Sequence, residues 1–385
     1  MRTWALSGRV IHPSGAVANG SVVIEDRRII DVAASPPAGL PHIETGGLIA
    51  PGFIDLQING AFGYDFTADP ASVAPVAAGL PQHGVTAFLP TIITSPLETY
   101  PERLVALMAA ATPNQGATVL GVHVEGPFLN PNKKGAHNPI HLRLPSPQSV
   151  APLVATGAMR LMTLAPELPG GTETIAYLRR HGVVVSIGHT DAHYDDAHAA
   201  LDHGVTWATH LFNAMPTLGH RDPGAVGALL EADQPVIGLI ADGIHVHPAV
   251  VRLVWRSKGA AGISLVTDAM AALGQPPGVY NIGDQQVHVT PIAARLASGT
   301  LAGSILSMDQ AIRNMIAYTG CSVGDAVRMA STTPADVLDL SHKGRLETGA
   351  DADIVVLDAQ LQVQQTIIGG EVVYQAEPHP QPISD

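Results

Sequence analysis

The sequence predicts an α/β fold, a (β/α)8 barrel of the TIM type with a small β-sandwich domain formed by both chain termini. Eight short apolar segments lie between about residues 49 and 340, and helical stretches separate many of them. Strands that alternate with helices form a parallel sheet, and eight strands in a region of this length suggest a barrel. A doubly wound open sheet is the alternative, but no G-x-G-x-x-G phosphate loop follows the first segment to favour it.

The eight predicted strands are apolar along their length and deliver polar residues at their carboxyl ends. In chain order they are LIAPGFIDLQIN (48–59), VTAFLPT (85–91), VLGVHVEG (119–126), MRLMTLAPE (159–167), VVVSIGHT (183–190), TWATHLFN (206–213), VIGLIADG (236–243) and ISLVTDAM (263–270). The active site of a barrel of this kind lies at the carboxyl ends of its strands. The polar residues at these ends are therefore the candidates for chemistry.

Residues 1–48 and 341–385 predict a small β domain beside a catalytic barrel of residues 49–340. Both ends contain short β segments with turns, at residues 12–15, at Asp26-Arg27 and at Gly369-Gly370. Neither piece is expected to be stable alone, so both are predicted to join one unit. The last nine residues, EPHPQPISD, are predicted to be disordered.

Composition limits the classes of function. Of the 385 residues 46% are hydrophobic and only 4% are aromatic, so the core must consist mainly of Ala, Val, Leu and Ile. The net charge of −13 argues against nucleic acid as a partner. The sequence contains no secretory h-region and no apolar run of membrane-spanning length. With Cys321 as the single cysteine, we expect a cytoplasmic protein that does not enter membranes.

Two similar segments, RRHGVVVSIGHT and LDHGVTWATHLFN, each deliver a histidine, His189 and His210. Each begins with a helix-ending His-Gly pair and then runs through an apolar strand. A third segment, QHGVTAFLPT, has the same opening without the final histidine. His83, His181 and His203 are therefore interpreted as helix-end residues. His189 and His210 are predicted to lie at the carboxyl ends of their two strands, the edge of a parallel sheet that carries the chemistry.

Glu125, at the end of the third strand, completes a set of two histidines and one carboxylate. This set suits catalytic zinc with a position left for water, and it also suits ferrous iron. Asp268, at the end of the eighth strand, discriminates between them, because a second carboxylate facing a metal-bound water is what hydrolysis needs. In the alternative interpretation Asp268 caps a helix, Glu125 pairs with Lys133 or Lys134, and the histidines are buried hydrogen-bonded residues.

Other polar residues lie close to these strand ends. Gln57 and Asn59 lie at the end of the first strand, and His245 lies just beyond the seventh. His137, in the loop NKKGAHNP, could polarise a carbonyl or be a solvated loop histidine. Arg221 is the best candidate for an anion clamp, since a guanidinium matches phosphate oxygens, although spacing alone favours a surface arginine.

These motifs resemble the N-acetylglucosamine-6-phosphate deacetylases of the amidohydrolase superfamily, in order and over essentially the whole chain. The resemblance rests on PGFIDLQING, GVHVEGPFLNPNKKGAHNP, SIGHTDA, THLFNAMPTLGHRDPGAVGA, IADGIHVHP, LVTDAM and GTLAGS. It implies a barrel with a terminal β-sandwich, a homodimer, and hydrolysis of the N-acetyl group of N-acetylglucosamine 6-phosphate to acetate and glucosamine 6-phosphate. The rivals are another barrel amidohydrolase that acts on an N-acyl or cyclic amide, a non-catalytic sugar-phosphate sensor, and a ferrous oxygenase.

The resemblance also implies roles for individual residues. Glu125, His189 and His210 would bind one divalent metal, zinc first and Fe²⁺, Co²⁺ or Mn²⁺ as alternatives. Asp268 would act as general base and acid, and His137 would contact the sugar and the developing oxyanion. The predicted substrate-binding residues, with Arg221 able to reach a neighbouring subunit, are Gln57, Asn59, Ala136, Asn213, Ala214, Arg221, His245, Leu301, Ala302 and Gly303.

The sequence departs from the wider superfamily at the residues that determine the number of bound metals. Many members of the superfamily carry His-x-His at the end of the first strand and bind two metals, whereas this chain has Gln57 and Asn59 there. Neutral amides are poor zinc ligands compared with imidazole. A second metal is therefore not expected. Cyclic-amide hydrolases commonly use a bridging lysine after the fourth strand, and this chain has APE there.

Overall fold

The fold was obtained as a computed structural model, which describes residues 2–111 and 115–377. Eight parallel strands form the barrel, and they match the eight predicted segments. They are β1 (Phe53–Ile58), β2 (Val85–Ile92), β3 (Val122–Glu125), β4 (Met159–Leu164), β5 (Val184–Ile187), β6 (Trp207–Ala208), β7 (Val236–Leu239) and β8 (Ile263–Leu265). Each strand pairs with the next along the chain from β1 to β8. The predicted barrel is therefore confirmed.

The residues just after β8 close the barrel against β1. The Asp268 N–H donates to the Gln57 carbonyl at 2.8 Å, and the Asn59 N–H donates to the Ala269 carbonyl at 2.7 Å. This junction brings the polar residues at the end of the first strand beside those that follow the last strand. The barrel strands are almost entirely buried, as expected of a parallel sheet that helices cover on its outer face.

Helices follow the strands and pack on the outside of the barrel. They are α1 (Val73–Gly79), α2 (Tyr100–Ala110), α3 (Pro147–Ala155), α4 (Gly171–Arg180), α5 (Tyr194–Asp202), α6 (Gly224–Glu231), α7 (Pro248–Lys258), α8 (Met308–Thr319), α9 (Val323–Ala330) and α10 (Thr332–Val337). Gly182 and Gly204, which follow α4 and α5, have positive φ values of 73° and 104°. The two glycines therefore end helices in the left-handed conformation, as the His-Gly pairs predicted. Within the described residues, no helix has the length and apolar character needed to cross a membrane.

The two chain ends share one seven-stranded sheet beside the barrel, as predicted. Its strands, in spatial order, are Glu371–Gln375, Val363–Ile368, Ile354–Leu357, His42–Pro51, Thr3–Ile11, Val17–Glu25 and Arg28–Ala33. Ala352, two residues before the Ile354 strand, connects to the opposite edge of the sheet, because its N–H donates to the Arg27 carbonyl. The sheet therefore wraps around a core of its own, which includes Trp4, Ile24 and Ile354. Residues 378–385, within the segment predicted to be disordered, lie outside the described residues.

A three-stranded sheet between β8 and α8 was not predicted. Its strands are Gly278–Ile282, Gln285–Val289 and Ala294–Arg295. The sheet packs on Ile93 and Met270, next to the carboxyl ends of β2 and β8. It therefore lies on one side of the barrel end where the strands have their carboxyl ends. The remaining strands are short. Gly60–Ala61 pairs with Tyr64–Asp65, and Thr118–Val119 pairs with β2.

Candidate active site

Three candidate residues follow strand ends in an unusual backbone conformation. His189, His210 and Asp268 have φ values of 48°, 29° and 48°. Residues other than glycine rarely adopt positive φ, and such a residue costs on the order of 1–3 kcal/mol unless the surroundings enforce it. All three side chains are buried at the same end of the barrel. Strain of this kind, concentrated at one place, is typical of a functional site.

Glu125, His189 and His210 form a compact cluster. Glu125 Oε1 lies 3.2 Å from His189 Nε2 and 3.0 Å from His210 Nε2, and the two Nε2 atoms are 3.1 Å apart. Among the described residues this is the cluster whose donor atoms all lie within 4.8 Å of one another. Neither Lys133 nor Lys134 pairs with Glu125, since Lys133 contacts Asp191 instead. The alternative ion pair is therefore not formed.

The hydrogen bonding of His189 supports a cation at this cluster. His189 Nδ1 lies 2.9 Å from the carbonyl oxygen of Lys133. Because a carbonyl only accepts, Nδ1 carries the hydrogen, and in the neutral ring Nε2 presents its lone pair to the cluster. A lone pair aimed at a carboxylate oxygen needs a proton or a metal between them. Two imidazoles and one carboxylate arranged in this way fit a divalent metal with an open position.

The charges within the cluster stabilise one another. Burial alone would raise the pKa of Glu125, but its hydrogen bonds to His189 and His210 outweigh burial and hold that pKa well below the usual range. Burial would lower the pKa of His210, yet the hydrogen bond to Glu125 raises it instead. Glu125 is therefore ionised at neutral pH, which is the state a metal ligand requires.

Asp268 faces the cluster and is held by two amides. Asn59 Nδ2 donates to its Oδ1 at 2.7 Å, and Gln57 Nε2 lies 3.2 Å from the same oxygen and 3.2 Å from Glu125 Oε1. Burial, together with the nearby charge of Glu125, raises the pKa of Asp268 to about 6. A carboxylate with a pKa close to neutrality can both accept and return a proton.

His137 presents a hydrogen-bond donor to the same space. Its Nδ1 accepts from the Thr94 N–H at 3.3 Å and lies 2.7 Å from Thr94 Oγ1. Nδ1 is therefore unprotonated in the neutral ring, and Nε2 carries the hydrogen. Nε2 lies 3.9 Å from Glu125 Oε2. Burial and the charge of His189 lower the pKa of His137 to about 3, so the ring stays neutral at physiological pH.

A cavity of about 410 Å³ opens onto these residues. Among the predicted residues, those that line it are Asn59, Glu125, Ala136, His137, His189, His210, Asn213, Ala214, His245, Asp268, Leu301 and Gly303. Three others do not line it. Gln57 lies beneath the cavity against Glu125, Ala302 is fully buried in the core under the three-stranded sheet, and Arg221 is solvent-exposed.

His245 is fixed by the carboxylate of Asp242. Asp242 Oδ2 lies 2.6 Å from His245 Nδ1, and its Oδ1 accepts from the Ile244 and His245 N–H groups at 2.8 Å each. Burial would raise the pKa of Asp242, but the hydrogen bond to His245 lowers it. Since Nδ1 is occupied, Nε2 is the ring nitrogen available to a ligand in the cavity.

Seven lining residues were not predicted from the sequence, namely Ile93, Asn132, Lys133, Gly135, Met215, Ile282 and Thr300. Lys133, Met215 and Thr300 lie inside the motifs KKGAHNP, THLFNAMP and GTLAGS. Membership in these motifs could therefore have identified them as candidate lining residues. Ile93 and Ile282 are apolar residues contributed by the β2 loop and by the unpredicted sheet. Nothing in the local sequence distinguishes them from core residues.

The comparisons with known proteins identify the family. The Amidohydrolase family matches residues 48–373. An N-acetylglucosamine-6-phosphate deacetylase from Bos taurus is 43% identical over 97% of this chain and 91% of its own length, and one from Bacillus subtilis (strain 168) is 35% identical over 95% of each. A structure of the Mycobacterium smegmatis deacetylase in complex with N-acetyl-D-glucosamine-6-phosphate has a TM-score of 0.91, with 34% identity over 97% of this chain and all of that chain.

A more distant structure, an enamidase of the amidohydrolase superfamily, has a TM-score of 0.65 at 15% identity over 97% of this chain and 96% of that chain, and it shows the shared fold alone. The deacetylases, in contrast, match in sequence and in structure along nearly the whole chain. The chain therefore belongs to the amidohydrolase family and, within it, to the N-acetylglucosamine-6-phosphate deacetylases.

Proposed function

We propose that this protein hydrolyses the N-acetyl group of N-acetylglucosamine 6-phosphate and releases acetate and glucosamine 6-phosphate. The observation that carries the proposal is the placement of a carboxylate, Asp268, across Gln57 from a buried cluster of two histidines and Glu125. The activity for which the relatives are named supports the same substrate, as does the sugar phosphate bound to an aspartate-to-alanine mutant of the Mycobacterium smegmatis deacetylase.

One divalent metal per chain, held by Glu125, His189 and His210, is part of the proposal. Zn²⁺ is the metal that this donor set suits best, with Fe²⁺, Co²⁺ and Mn²⁺ as alternatives. When bound, the metal would lower the pKa of a water and polarise the amide carbonyl. Gln57 and Asn59 supply only neutral amides on the side where a second metal would need imidazoles, which supports a single metal.

Asp268 performs the proton transfers. As the ionised carboxylate it takes the proton of the attacking water, and it then returns that proton to the nitrogen of the amide so that the amine can leave. The pKa of about 6 fits both steps, because the carboxylate is ionised at neutral pH without being too weak a base. Asn59 orients it by donating to Oδ1.

His137 stabilises the charge that develops on the carbonyl oxygen. Its neutral ring directs Nε2–H toward the cluster, because Nδ1 accepts from the Thr94 N–H. A donor that is already in place needs no reorganisation as the oxyanion forms. Its pKa of about 3 keeps the ring neutral, so His137 donates a hydrogen bond and does not take the proton from water.

The remaining residues hold the sugar phosphate. Asn213, Ala214 and His245 are proposed to bind the phosphate, and the sugar lies along Ala136 and the 301–303 segment. Ala302 itself is buried, so it would act by shaping that segment. Arg221 would join the site of a neighbouring subunit in a homodimer. The single cysteine, Cys321, is buried and unpaired, which agrees with a cytoplasmic location.

The test is acetate release from N-acetylglucosamine 6-phosphate by the purified, metal-loaded protein. We expect multiple turnovers with this sugar, and little release from an N-acyl amino acid or ring opening of a cyclic amide. Tight binding of the sugar phosphate without turnover would favour the non-catalytic sensor, and preference for another amide would favour a different amidohydrolase activity.

A further inference from the structure

The segment after β4 delivers a carboxylate that the proposed chemistry does not use. Glu167 ends the segment APE, which follows β4 directly, yet it does not belong to the described residues that line the cavity. We propose that Glu167 is a positioning residue, which holds the metal ligand His189 in place through hydrogen bonds to the segments that fix the His189 backbone. This inference rests on the metal site of the proposed function and deepens it by naming a residue that retains the metal.

Three hydrogen-bond donors from two loops converge on the Glu167 carboxylate. Oε1 accepts from Asn130 Nδ2 at 2.9 Å and from the Asp191 N–H at 2.7 Å, and Oε2 accepts from Thr190 Oγ1 at 2.5 Å. A carboxylate only accepts, so both of its oxygens can satisfy donors at once. Asn130 lies in the loop after β3, whereas Thr190 and Asp191 lie in the loop after β5. One side chain after β4 therefore joins the loops of the two neighbouring strands.

His189 lies between these contacts. Thr190 and Asp191 follow it in the chain, and its own carbonyl oxygen accepts from the Asn130 N–H at 2.9 Å. The residues bonded to Glu167 therefore hold the His189 backbone both through its own chain and through the loop after β3. The backbone needs this support, because His189 has a φ of 48° and residues other than glycine rarely adopt positive φ unless their surroundings enforce it. Without these bonds the backbone could relax and move the ring away from the other two metal ligands.

Thr190 connects the carboxylate of Glu167 to the residue before it, His189. Thr190 is fully buried, and its Oγ1 accepts from the Ala192 N–H at 3.0 Å while it donates to Glu167. The Thr190 N–H donates to the Ala214 carbonyl, in the loop after β6, at 3.2 Å. A buried hydroxyl group that loses its acceptor is destabilised. The orientation of Thr190, and with it the backbone of His189, therefore depends on Glu167.

In the competing interpretation Glu167 retains the metal by its charge alone, since a carboxylate attracts a divalent cation over distance without touching it. Glu167→Gln separates the two interpretations, because glutamine keeps the shape and removes the charge. Its amide oxygen can accept from Asn130 and Asp191, and its NH2 group can donate to Thr190 Oγ1. The substitution therefore preserves the contacts of the side chain with both loops. If position matters, this variant should keep most of the metal retention that Glu167→Ala loses.

Asp358, beside a strand of the terminal sheet, provides a matched control. Its Oδ1 accepts from the Gln360 and Gln362 N–H groups at 2.9 and 2.8 Å, and its Oδ2 accepts from Gln364 Nε2 at 3.1 Å. Like Glu167 it is a half-buried carboxylate that binds three uncharged donors. Asp358→Ala therefore removes the same kind of anchor outside the barrel. Its metal should dissociate at the rate of the wild type, whatever the change in melting temperature.

The experiment compares Glu167→Ala, Glu167→Gln, Thr190→Val and Asp358→Ala with the wild type. Each protein is loaded with Zn²⁺ or Co²⁺, and the rate of metal dissociation into excess chelator, the visible absorption spectrum of the bound Co²⁺ and the melting temperature are recorded. Glu167→Ala should speed dissociation by about 10- to 100-fold, the range for side chains that orient metal ligands, and should change the Co²⁺ spectrum. Thr190→Val should act in the same direction with a smaller effect.

The outcomes distinguish positioning from charge and from general stability. Equal acceleration in Glu167→Gln and Glu167→Ala would assign metal retention to the charge, and equal acceleration in Asp358→Ala would assign it to general destabilisation. Either result overturns the proposal, as does a folded Glu167→Ala variant with unchanged dissociation. Should Glu167→Ala fail to fold, an unchanged rate in Thr190→Val overturns it. A wild type that holds its metal but releases no acetate would instead overturn the proposed function, and the dissociation rates would still decide the role of Glu167.

Discussion

The side chain of Asn59 donates to Oδ1 of Asp268 over 2.7 Å, and this bond joins the ends of β1 and β8 where the barrel closes. The backbone bond from the Asp268 N–H to the Gln57 carbonyl lies beside it. The closure of the barrel and the orientation of the proposed general base therefore depend on the same two residues at the end of β1, Gln57 and Asn59. Asp268 itself has positive φ, so these contacts enforce a conformation that the residue would not adopt alone.

We expect Asp268→Asn to keep its metal and lose most of its activity. The substitution preserves shape and the barrel-closing backbone bond but removes the group that accepts the proton from water. A proton-transfer group typically contributes about 100- to 10,000-fold. Single-turnover acetate release and metal analysis on the same sample check this. Turnover close to that of the wild type would remove Asp268 from its proposed role.

Asn59→Ala should shift the pH dependence as well as the rate. The Asn59 hydrogen bond stabilises the ionised carboxylate and lowers the pKa of Asp268, against burial, which raises it. Its loss raises that pKa further, so the acidic limb of the kcat/KM profile should move to higher pH. The control is the double variant with Asp268→Asn, which should be no less active than Asp268→Asn alone. Additive losses would show that Asn59 acts independently.

The metal count tests the donor set directly. Glu125, His189 and His210 offer one site, and the amides of Gln57 and Asn59 offer no imidazole for a second. Elemental analysis after dialysis should give about one metal per chain, on the ligand count of a single catalytic site. His189→Ala should lower that count, whereas His181→Ala, a helix-end histidine outside the cluster, should not. Two tightly bound metals, both required for activity, would contradict this prediction.

The buried carboxyl group of Asp55 is expected to make the stability of the folded protein depend on pH. It is fully buried beneath Gln57 and accepts from Thr267 Oγ1 at 2.5 Å, and burial raises its pKa from 3.8 to about 7. Because the folded pKa lies above the unfolded value, the contribution to stability is full below pH about 4 and is lost as the pH rises through 7. The difference is worth at most about 4 kcal/mol in the free energy of unfolding.

The measurement is urea denaturation of metal-free wild type and Asp55→Asn between pH 4 and 8. The variant should show the flatter profile and should gain relative stability at the alkaline end, because no charge has to be buried there. Comparing the two proteins cancels the titration of all other groups. Parallel profiles would mean that Asp55 keeps an ordinary pKa in the folded protein.

The strand ends could be predicted because a parallel barrel leaves little freedom there. Once eight strands are assigned, their carboxyl ends must lie on one face, so the convergence of Glu125, His189, His210 and Asp268 follows from topology. Loop positions follow no such rule. Arg221 lies in the irregular segment between β6 and α6, and its side chain is exposed instead of lining the cavity of its own chain.

Two further differences between the predicted and the observed structure have local causes. Leu301 and Gly303 line the cavity, whereas Ala302 between them is buried in the core under the three-stranded sheet. The Gly278–Ile282 strand and its partners are short and half-exposed, so they lack the apolar run that marked the barrel strands. A sheet inserted between the last strand and its helix leaves little trace in hydrophobic periodicity.

The exposure of Arg221 leads to a prediction about subunits. If Arg221 reaches the phosphate across a homodimer, Arg221→Ala should weaken binding of the phosphorylated sugar by roughly 2–5 kcal/mol, the range for a buried charge contact. Binding of the free sugar should hardly change. Mixing the Arg221→Ala and Asp268→Asn proteins should then restore activity, since each hybrid dimer regains one site with both residues. After random exchange about one quarter of the sites would be complete in a twofold-symmetric dimer. No gain on mixing, despite verified subunit exchange, would place Arg221 in the site of its own chain or outside the site altogether.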